Sequence, residues 1–327
     1  MKHYLSKLIS GESLTIIESE EALIKIGSGE VNSAQIASFL MGIQQKGIQV
    51  QELVGFRNAM LNLALTLDLS EFDAMDVCGT GGDGKDTFNI STTAAFVVAG
   101  AGQKVAKHGN HGVSSAVGSS TVLEYLGVKF SNDSAFLTDK IEKVGMCYLH
   151  APLFHPAMRF VGPVRKELGI KTFFNILGPL LNPAKIQKQL TGVFDLKTFD
   201  LYYELFLQSS VKFGIVHALD GYDEVSLTGN FKFGNRNKVE IGQPKDLGFE
   251  KCSPEELSGG KTLEESAKVM VDVLKNEGSI AQKNAVLANA ALALSVSNEV
   301  SIEEGLTKAL ESLESGAAFS CLKGLIA

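Results

Sequence analysis

The stretch Met75-Asp76-Val77-Cys78-Gly79-Thr80-Gly81-Gly82-Asp83-Gly84-Lys85-Asp86-Thr87 passes from a short run with strand character into a loop with four glycines in six residues. An apolar helix is expected to follow, from about Asn89 to Ala101. Lys104-Val105-Ala106-Lys107 reads as a second strand, and another helix is expected from about Ser115 to Leu126. Met146-Cys147-Tyr148-Leu149, Leu190-Thr191-Gly192-Val193-Phe194 and Phe213-Gly214-Ile215-Val216-His217 read as further strands, with helical patterns between them. This alternation is the mark of an α/β domain with a central, mostly parallel sheet.

Upstream of Met75 the pattern is helical. Ile36, Phe39, Leu40 and Ile43 form one apolar stripe at helical spacing, and Leu53, Phe56, Met60 and Leu63 form another, with Gly47 as a stop between them. The tail is helical again: Thr262/Glu265, Ser279/Gln282 and Ser301/Glu304 each fit a capping box before an apolar run. Residues 1–70 are therefore expected to form a small all-helical domain, and residues 71–327 a large α/β domain.

Composition removes several classes of function. The chain has 327 residues, 45% of them hydrophobic, enough for a substantial core. Its 30 basic against 37 acidic residues leave a net charge of -7, which argues against a nucleic-acid-coating protein. Cys78, Cys147, Cys252 and Cys321 are far apart and show no zinc spacing, as expected of reduced thiols in a cytoplasmic protein. The start Met1-Lys2-His3-Tyr4-Leu5 lacks the apolar run of a signal peptide, and no stretch has the apolar length of a membrane span. There are 33 Gly and no Trp.

The glycine loop satisfies two nucleotide-binding patterns without completing either. As G-x-G-x-x-G it lacks an acid at the end of the next strand, where Lys107-His108 stand instead. As G-x-x-x-x-G-K it has Asp86 where a magnesium-binding Ser or Thr should follow Lys85. Its open backbone amides still suit a phosphate or diphosphate. Asp83 would repel phosphate, which points it toward ribose hydroxyls, a metal or a metal-bound water. Asn89-Ile90-Ser91-Thr92-Thr93, at the expected helix start, suits either helix capping or phosphate. Lys107-His108-Gly109-Asn110 ends the second strand, on the side where open α/β sheets bind ligands.

These segments, in this order, resemble the signature of the anthranilate phosphoribosyltransferase family. The likeness continues through Val161-Gly162-Pro163-Val164-Arg165-Lys166-Glu167-Leu168-Gly169, Asn175-Ile176-Leu177-Gly178-Pro179-Leu180-Leu181-Asn182-Pro183 and Asp220-Gly221-Tyr222-Asp223-Glu224-Val225-Ser226. It covers nearly the whole chain. The resemblance implies the nucleoside phosphorylase/phosphoribosyltransferase class of fold. It also implies a homodimer formed through the helical domain, joined by helices from about 160–185, and dependence on Mg2+. The implied substrates are anthranilate and 5-phospho-α-D-ribose 1-diphosphate, and the implied pathway is tryptophan biosynthesis.

By the same resemblance, Gly79, Gly82, Asp83, Thr87, Asn89, Ile90, Ser91 and Thr92, with Lys107, Ser115 and Ser119, hold the phosphoribosyl donor. Asp223, Glu224 and Ser91 hold the metal. Arg165, Asn110 and Gly79 are the candidates for anthranilate, with His155 and Gly178 behind them. His108, Asn110 and Arg165 are the candidate catalytic residues, His108 to orient the amine or accept its proton. An aromatic amine already carries a free lone pair, so positioning and charge stabilisation suffice. Arg165 has the planar fork that pairs with a carboxylate.

The chain departs from the family pattern at His111-Gly112, where Arg-Ala is common, at Ala116, where a basic residue is common, and at Ser120-Thr121, where Ala-Asp is common. Looser donor binding or heavier reliance on magnesium is the expectation. Two rival readings are weaker. A pyrimidine nucleoside phosphorylase has no reason to keep Arg165 or the Asp223-Glu224 pair. A non-catalytic nucleic-acid-binding relative should be basic and should have lost the glycine loop.

Overall fold

The structure, a computed structural model, describes residues 1–112 and 118–327. The chain forms two compact units, one from Met1–Leu67 and Ala151–Lys185, the other from Asp68–His150 and Ile186–Ala327.

The second unit is built on a seven-stranded sheet. Its strands are β1 (Met75–Gly79), β2 (Val105–Gly109), β3 (Met146–His150), β4 (Lys188–Gly192), β5 (Lys212–Ala218), β6 (Phe231–Asn235) and β7 (Val239–Gly242). Their order is β3-β2-β1-β4-β5-β6-β7. The first five in sequence are parallel, and β6 and β7 add on as an antiparallel edge. From β1 the chain builds outward to β2 and β3, then crosses back to place β4 on the other flank. The β1/β4 junction is thus a topological switch point, and ligands of open α/β sheets bind beyond the strand ends at such points.

The helix Ile90–Gly100 is buried along its length, from Ile90 and Thr92 through to Ala99. It needs no polar face, because it runs through the core beside Ile280–Asn298, which is likewise enclosed. The capping boxes at Thr262, Ser279 and Ser301 all form. Among the described residues, no single helix is long and apolar enough to cross a membrane. Ile280–Asn298 and Ile302–Glu314 pass that test only as a pair bent by 119°. All four cysteines are free thiols.

The first unit packs the helices Ile16–Gly27, Ser33–Lys46 and Val50–Asn62, with Met158–Leu168 returning to join them. Both apolar stripes face inward: Ile36, Phe39, Leu40, Ile43, Leu53, Phe56 and Met60 are buried. Gly47 ends its helix at φ 84°, in the left-handed region that favours glycine. Phe173 stacks on Phe56 at 4.3 Å between ring centroids and meets Phe39 edge-on at 6.4 Å. Such pairs add about 1 kcal/mol each beyond their burial, and they hold residues 151–185 in the helical unit. The expected domain 71–327 is therefore interrupted, and the returning segment begins at Ala151 rather than near 160.

Candidate active site

The site in the α/β unit begins where β1 ends. Gly81, Gly82 and Gly84 take φ values of 61°, 77° and 72°, which side chains with a Cβ rarely adopt. The resulting loop is clasped by the segment that follows β5. Asp223 accepts a hydrogen bond from the Gly81 amide at 2.7 Å, across 142 positions of sequence. Glu224 accepts one from the Ser91 amide at 2.7 Å and another from the Ser91 hydroxyl. Asn89 stands at the N-cap of the helix without a side-chain capping bond, so Glu224 supplies a carboxylate to the first turn from outside. An anion at a helix N-terminus is favoured by the helix dipole.

Two glycines make this crossing possible. Gly79 and Gly192 are paired across β1 and β4. A Cβ on Gly79 would strike the Asp223 carboxylate, and a Cβ on Gly192 would strike the Asp223 backbone carbonyl. Gly192 was not among the residues expected to serve the site. Its signal was a glycine inside a strand pattern, which marks close backbone approach.

The electrostatics are those of crowded acids. Asp223 is buried and Glu224 half-buried. Burial first, then the neighbouring carboxylate charge, pushes both well above the usual carboxylate range. Asp83 is also raised by burial, and its carboxyl hydrogen-bonds to that of Asp223. A cluster that resists ionisation in this way fits a cation. Among the described residues no three such side chains converge as a ready-made metal cage. Magnesium does not require one, since it binds through one or two carboxylates plus substrate phosphates and water.

The other expected site residues are placed as follows. Thr92 is buried, and the Ile90 side chain is wholly core, its amide donating to Phe88 O at 2.7 Å. Thr87 forms an isolated antiparallel bridge with Ser258, beside the loop. Lys107 is buried and donates to Val77 O at 2.5 Å. His108 is buried, with its amide 3.3 Å from Asp76 Oδ1. Asn110 is exposed, and Ser119 donates to its carbonyl at 3.2 Å. Ser115 and Ala116 lie outside the described residues. The departures His111 and Thr121 meet, Nδ1 to Oγ1 at 3.3 Å, and His111 lies edge-on to His150 at 4.9 Å. Ser120 Oγ ties Tyr148 OH (2.8 Å) to His150 Nδ1 (2.9 Å).

Arg165, His155 and Gly178 belong to the helical unit. Arg165 lies 5.2 Å over the Phe174 ring and makes a long contact, 3.4 Å, to Asn175 Oδ1. Its Nε is buried without a hydrogen-bond partner among the described residues. Burial lowers its pKa, and such a fork is suited to a carboxylate. His155 Nε2 donates to Leu181 O at 3.0 Å, and burial pushes its pKa from the ordinary 6.5 down to about 4.

His155 makes the stability of the fold depend on pH. Above pH 6.5 neither folded nor unfolded chain carries its proton. As pH falls from there toward 4 the unfolded chain alone gains it, so stability drops through this window. The expected loss is about 3 kcal/mol at most. His155→Gln should flatten that part of a denaturation-against-pH curve; an unchanged slope would refute the assignment.

Comparison with known proteins gives the class first. Residues 71–319 match the family model for the glycosyl transferase family a/b domain, and residues 2–64 match that for its helical bundle domain. The anthranilate phosphoribosyltransferase of Christiangramia forsetii is 50% identical over 325 residues, covering 99% of this chain and 98% of that protein. The corresponding protein of Cytophaga hutchinsonii is 52% identical, with 99% of each covered. The crystal structure of anthranilate phosphoribosyltransferase from Thermus thermophilus superposes with a TM-score of 0.93 at 35% identity, covering 99% of this chain and 98% of that one. The Saccharomyces cerevisiae enzyme, solved in complex with PRPP and Mg, gives 0.92 at 29% identity, over 99% and 96%. The chain belongs to the anthranilate phosphoribosyltransferase family.

Proposed function

We propose that this protein transfers the phosphoribosyl group of 5-phospho-α-D-ribose 1-diphosphate to the amine of anthranilate. The products are N-(5-phosphoribosyl)anthranilate and diphosphate, on the route to tryptophan. The observation that carries the reading is the Asp223-Glu224 pair, held over the glycine loop at the β1/β4 switch point by the Gly81 and Ser91 amides.

Asp223 and Glu224, with Ser91, would hold magnesium. When bound, it supplies positive charge against the departing diphosphate. The loop from Gly82 to Gly84 and the start of the helix Ile90–Gly100 then lie toward the donor's phosphates, with Asn89, Thr92, Lys107 and Ser119 as further donor contacts. Preorganised charge of this kind supplies much of the rate enhancement in such reactions. The nucleophile needs no strong base, and His108 is left to orient it or take its proton after attack. The enzyme acts as a homodimer in the cytoplasm.

Arg165 pairs with the anthranilate carboxylate in this reading. Arg165→Ala should raise KM for anthranilate roughly a hundredfold, the loss of a charge-assisted bidentate pair, with donor affinity unchanged. Arg165→Lys should recover little, since an ammonium is not a planar fork. Aniline, which lacks the carboxylate, should be used equally poorly by wild type and variant; a persistent difference would contradict the role.

The activity itself is tested by following anthranilate fluorescence with donor and magnesium. The chain contains no Trp to interfere. No consumption by the wild-type protein would overturn the proposal.

A further inference from the structure

Lys85 belongs to the glycine loop but has no part in the proposed reaction. It completes G-x-x-x-x-G-K without the hydroxyl residue that would give that pattern its meaning. In the structure it is half-buried, and its Nζ sits 4.7 Å from the centroid of the Tyr222 ring. Tyr222 is buried and immediately precedes the Asp223-Glu224 pair. The lysine stem lies against Gly221: a Cβ there would come within 3.5 Å of Lys85 Cε. At its other end, the Lys85 amide donates to Asp83 Oδ1 at 3.0 Å.

Beside the carboxyl–carboxyl hydrogen bond of Asp83 and Asp223, the loop and the acid-bearing segment are joined at two places. One is the Gly81–Asp223 hydrogen bond. The other is the stacking of the Lys85 ammonium on Tyr222. We infer that Lys85 is a positioning residue: its cation–π contact with Tyr222 latches the phosphate-cradling loop to the Asp223-Glu224 segment, so that cradle and metal ligands are presented to the donor as one body. The inference deepens the proposed function and rests on it.

The Gly81 and Asp83 hydrogen bonds both end on Asp223, and Gly82 and Gly84 lack side chains that would restrain the loop further. The Lys85 contact, made with Tyr222 instead, adds an anchor on a second residue before the donor arrives. Ordering completed in advance is not charged against binding. The latch therefore acts on donor affinity and leaves the chemical step alone. Partly desolvated cation–π pairs correspond to effects of roughly threefold to thirtyfold in an equilibrium constant.

The test uses the full-length protein and has two readouts. Hydrogen–deuterium exchange of residues 79–88 is measured without donor or metal, and donor affinity is measured by calorimetry with magnesium present. Lys85→Met should speed exchange in this segment and weaken donor binding roughly threefold to tenfold, with kcat at saturation within about twofold of wild type. Lys85→Arg and Tyr222→Phe, which keep a cation and a ring, should restore both. Tyr222→Leu should match Lys85→Met, and the double variant should be no worse than either.

Unchanged exchange in Lys85→Met alongside weaker donor binding would overturn the latch, because the lysine would then be meeting the diphosphate directly. Additive losses in the double variant would overturn it too. If Tyr222→Leu fails to fold, as a thermal melt would show, the exchange of Lys85→Met against Lys85→Arg decides. Failure of the latch is distinct from failure of the proposed function, since the latter shows as absent anthranilate consumption by the wild-type protein.

Discussion

Asp223→Asn/Glu224→Gln is expected to abolish magnesium-dependent turnover, by roughly a thousandfold or more, while making the metal-free protein more stable. The two effects have one cause. Asp223 is buried and Glu224 half-buried, beside each other and beside Asp83, and their charged forms are disfavoured for that reason. Folding without a cation therefore either crowds negative charge into a site of low polarity or forces protons onto it. The amide side chains keep an oxygen to accept from the Gly81 and Ser91 amides, so the clasp between loop and acid segment survives. Only the charge is lost, and with it the affinity for metal.

Thermal unfolding in chelator and in magnesium checks this alongside the fluorescence assay. The wild-type protein should gain stability on adding magnesium with the donor, as any ligand of the folded state requires. The double variant should start higher and gain nothing. A variant less stable than wild type in chelator would mean that the pair has a structural role instead.

Gly192→Ala should be nearly as damaging, through sterics instead of charge. Gly192 is the last residue of β4 and is paired on both sides, with Gly79 of β1 and Val216 of β5. A methyl group there meets the Asp223 carbonyl. The strand cannot retreat without breaking ladder bonds to two neighbours, so the acid segment must lift away from the glycine loop. Overpacking of this kind costs about 1–3 kcal/mol, and the displaced carboxylates no longer face the Gly81 and Ser91 amides. Activity should fall at least roughly a hundredfold, since preorganised charge must lie within a few tenths of an ångström of its target. Gly162→Ala is the control. Gly162 lies within the helix Met158–Leu168, and among the described residues nothing would come within 4 Å of a Cβ there, so alanine should stabilise by up to about 1 kcal/mol. Similar activity in the two variants would contradict the steric argument.

Much of this arrangement was legible beforehand because its parts are local. A strand running into a glycine loop and then an apolar helix is written in consecutive residues, and so are the capping boxes at Thr262, Ser279 and Ser301. The stripes through Phe39 and Phe56 are set by helical spacing alone. The edge strands β6 and β7 were not anticipated. Phe231-Lys232-Phe233 does alternate, but it is only a few residues long, and a short alternation becomes a strand only when a neighbour such as β5 offers its open edge. The return of residues 151–185 to the helical unit was also illegible in its extent, because Phe173 looks the same in sequence whether it packs near or far.

The chemistry of the groups came from residue identity: amides freed by glycine, adjacent acids for a divalent cation, a guanidinium for a carboxylate. Composition likewise set the acidic surface and the size of the core. Convergence did not come that way. Asp223 meets Gly81 and Glu224 meets Ser91 across 142 and 133 positions of chain. That meeting exists because β4 pairs with β1 rather than extending the β2–β3 side, which brings the segment after β5 over the end of β1. Strand order is settled by the packing of the whole sheet against its helices, a cooperative outcome that no single stretch of residues encodes. The need for glycine at 192, the crowding that raises the acid pair and the seat of Lys85 on Tyr222 all follow from that one choice.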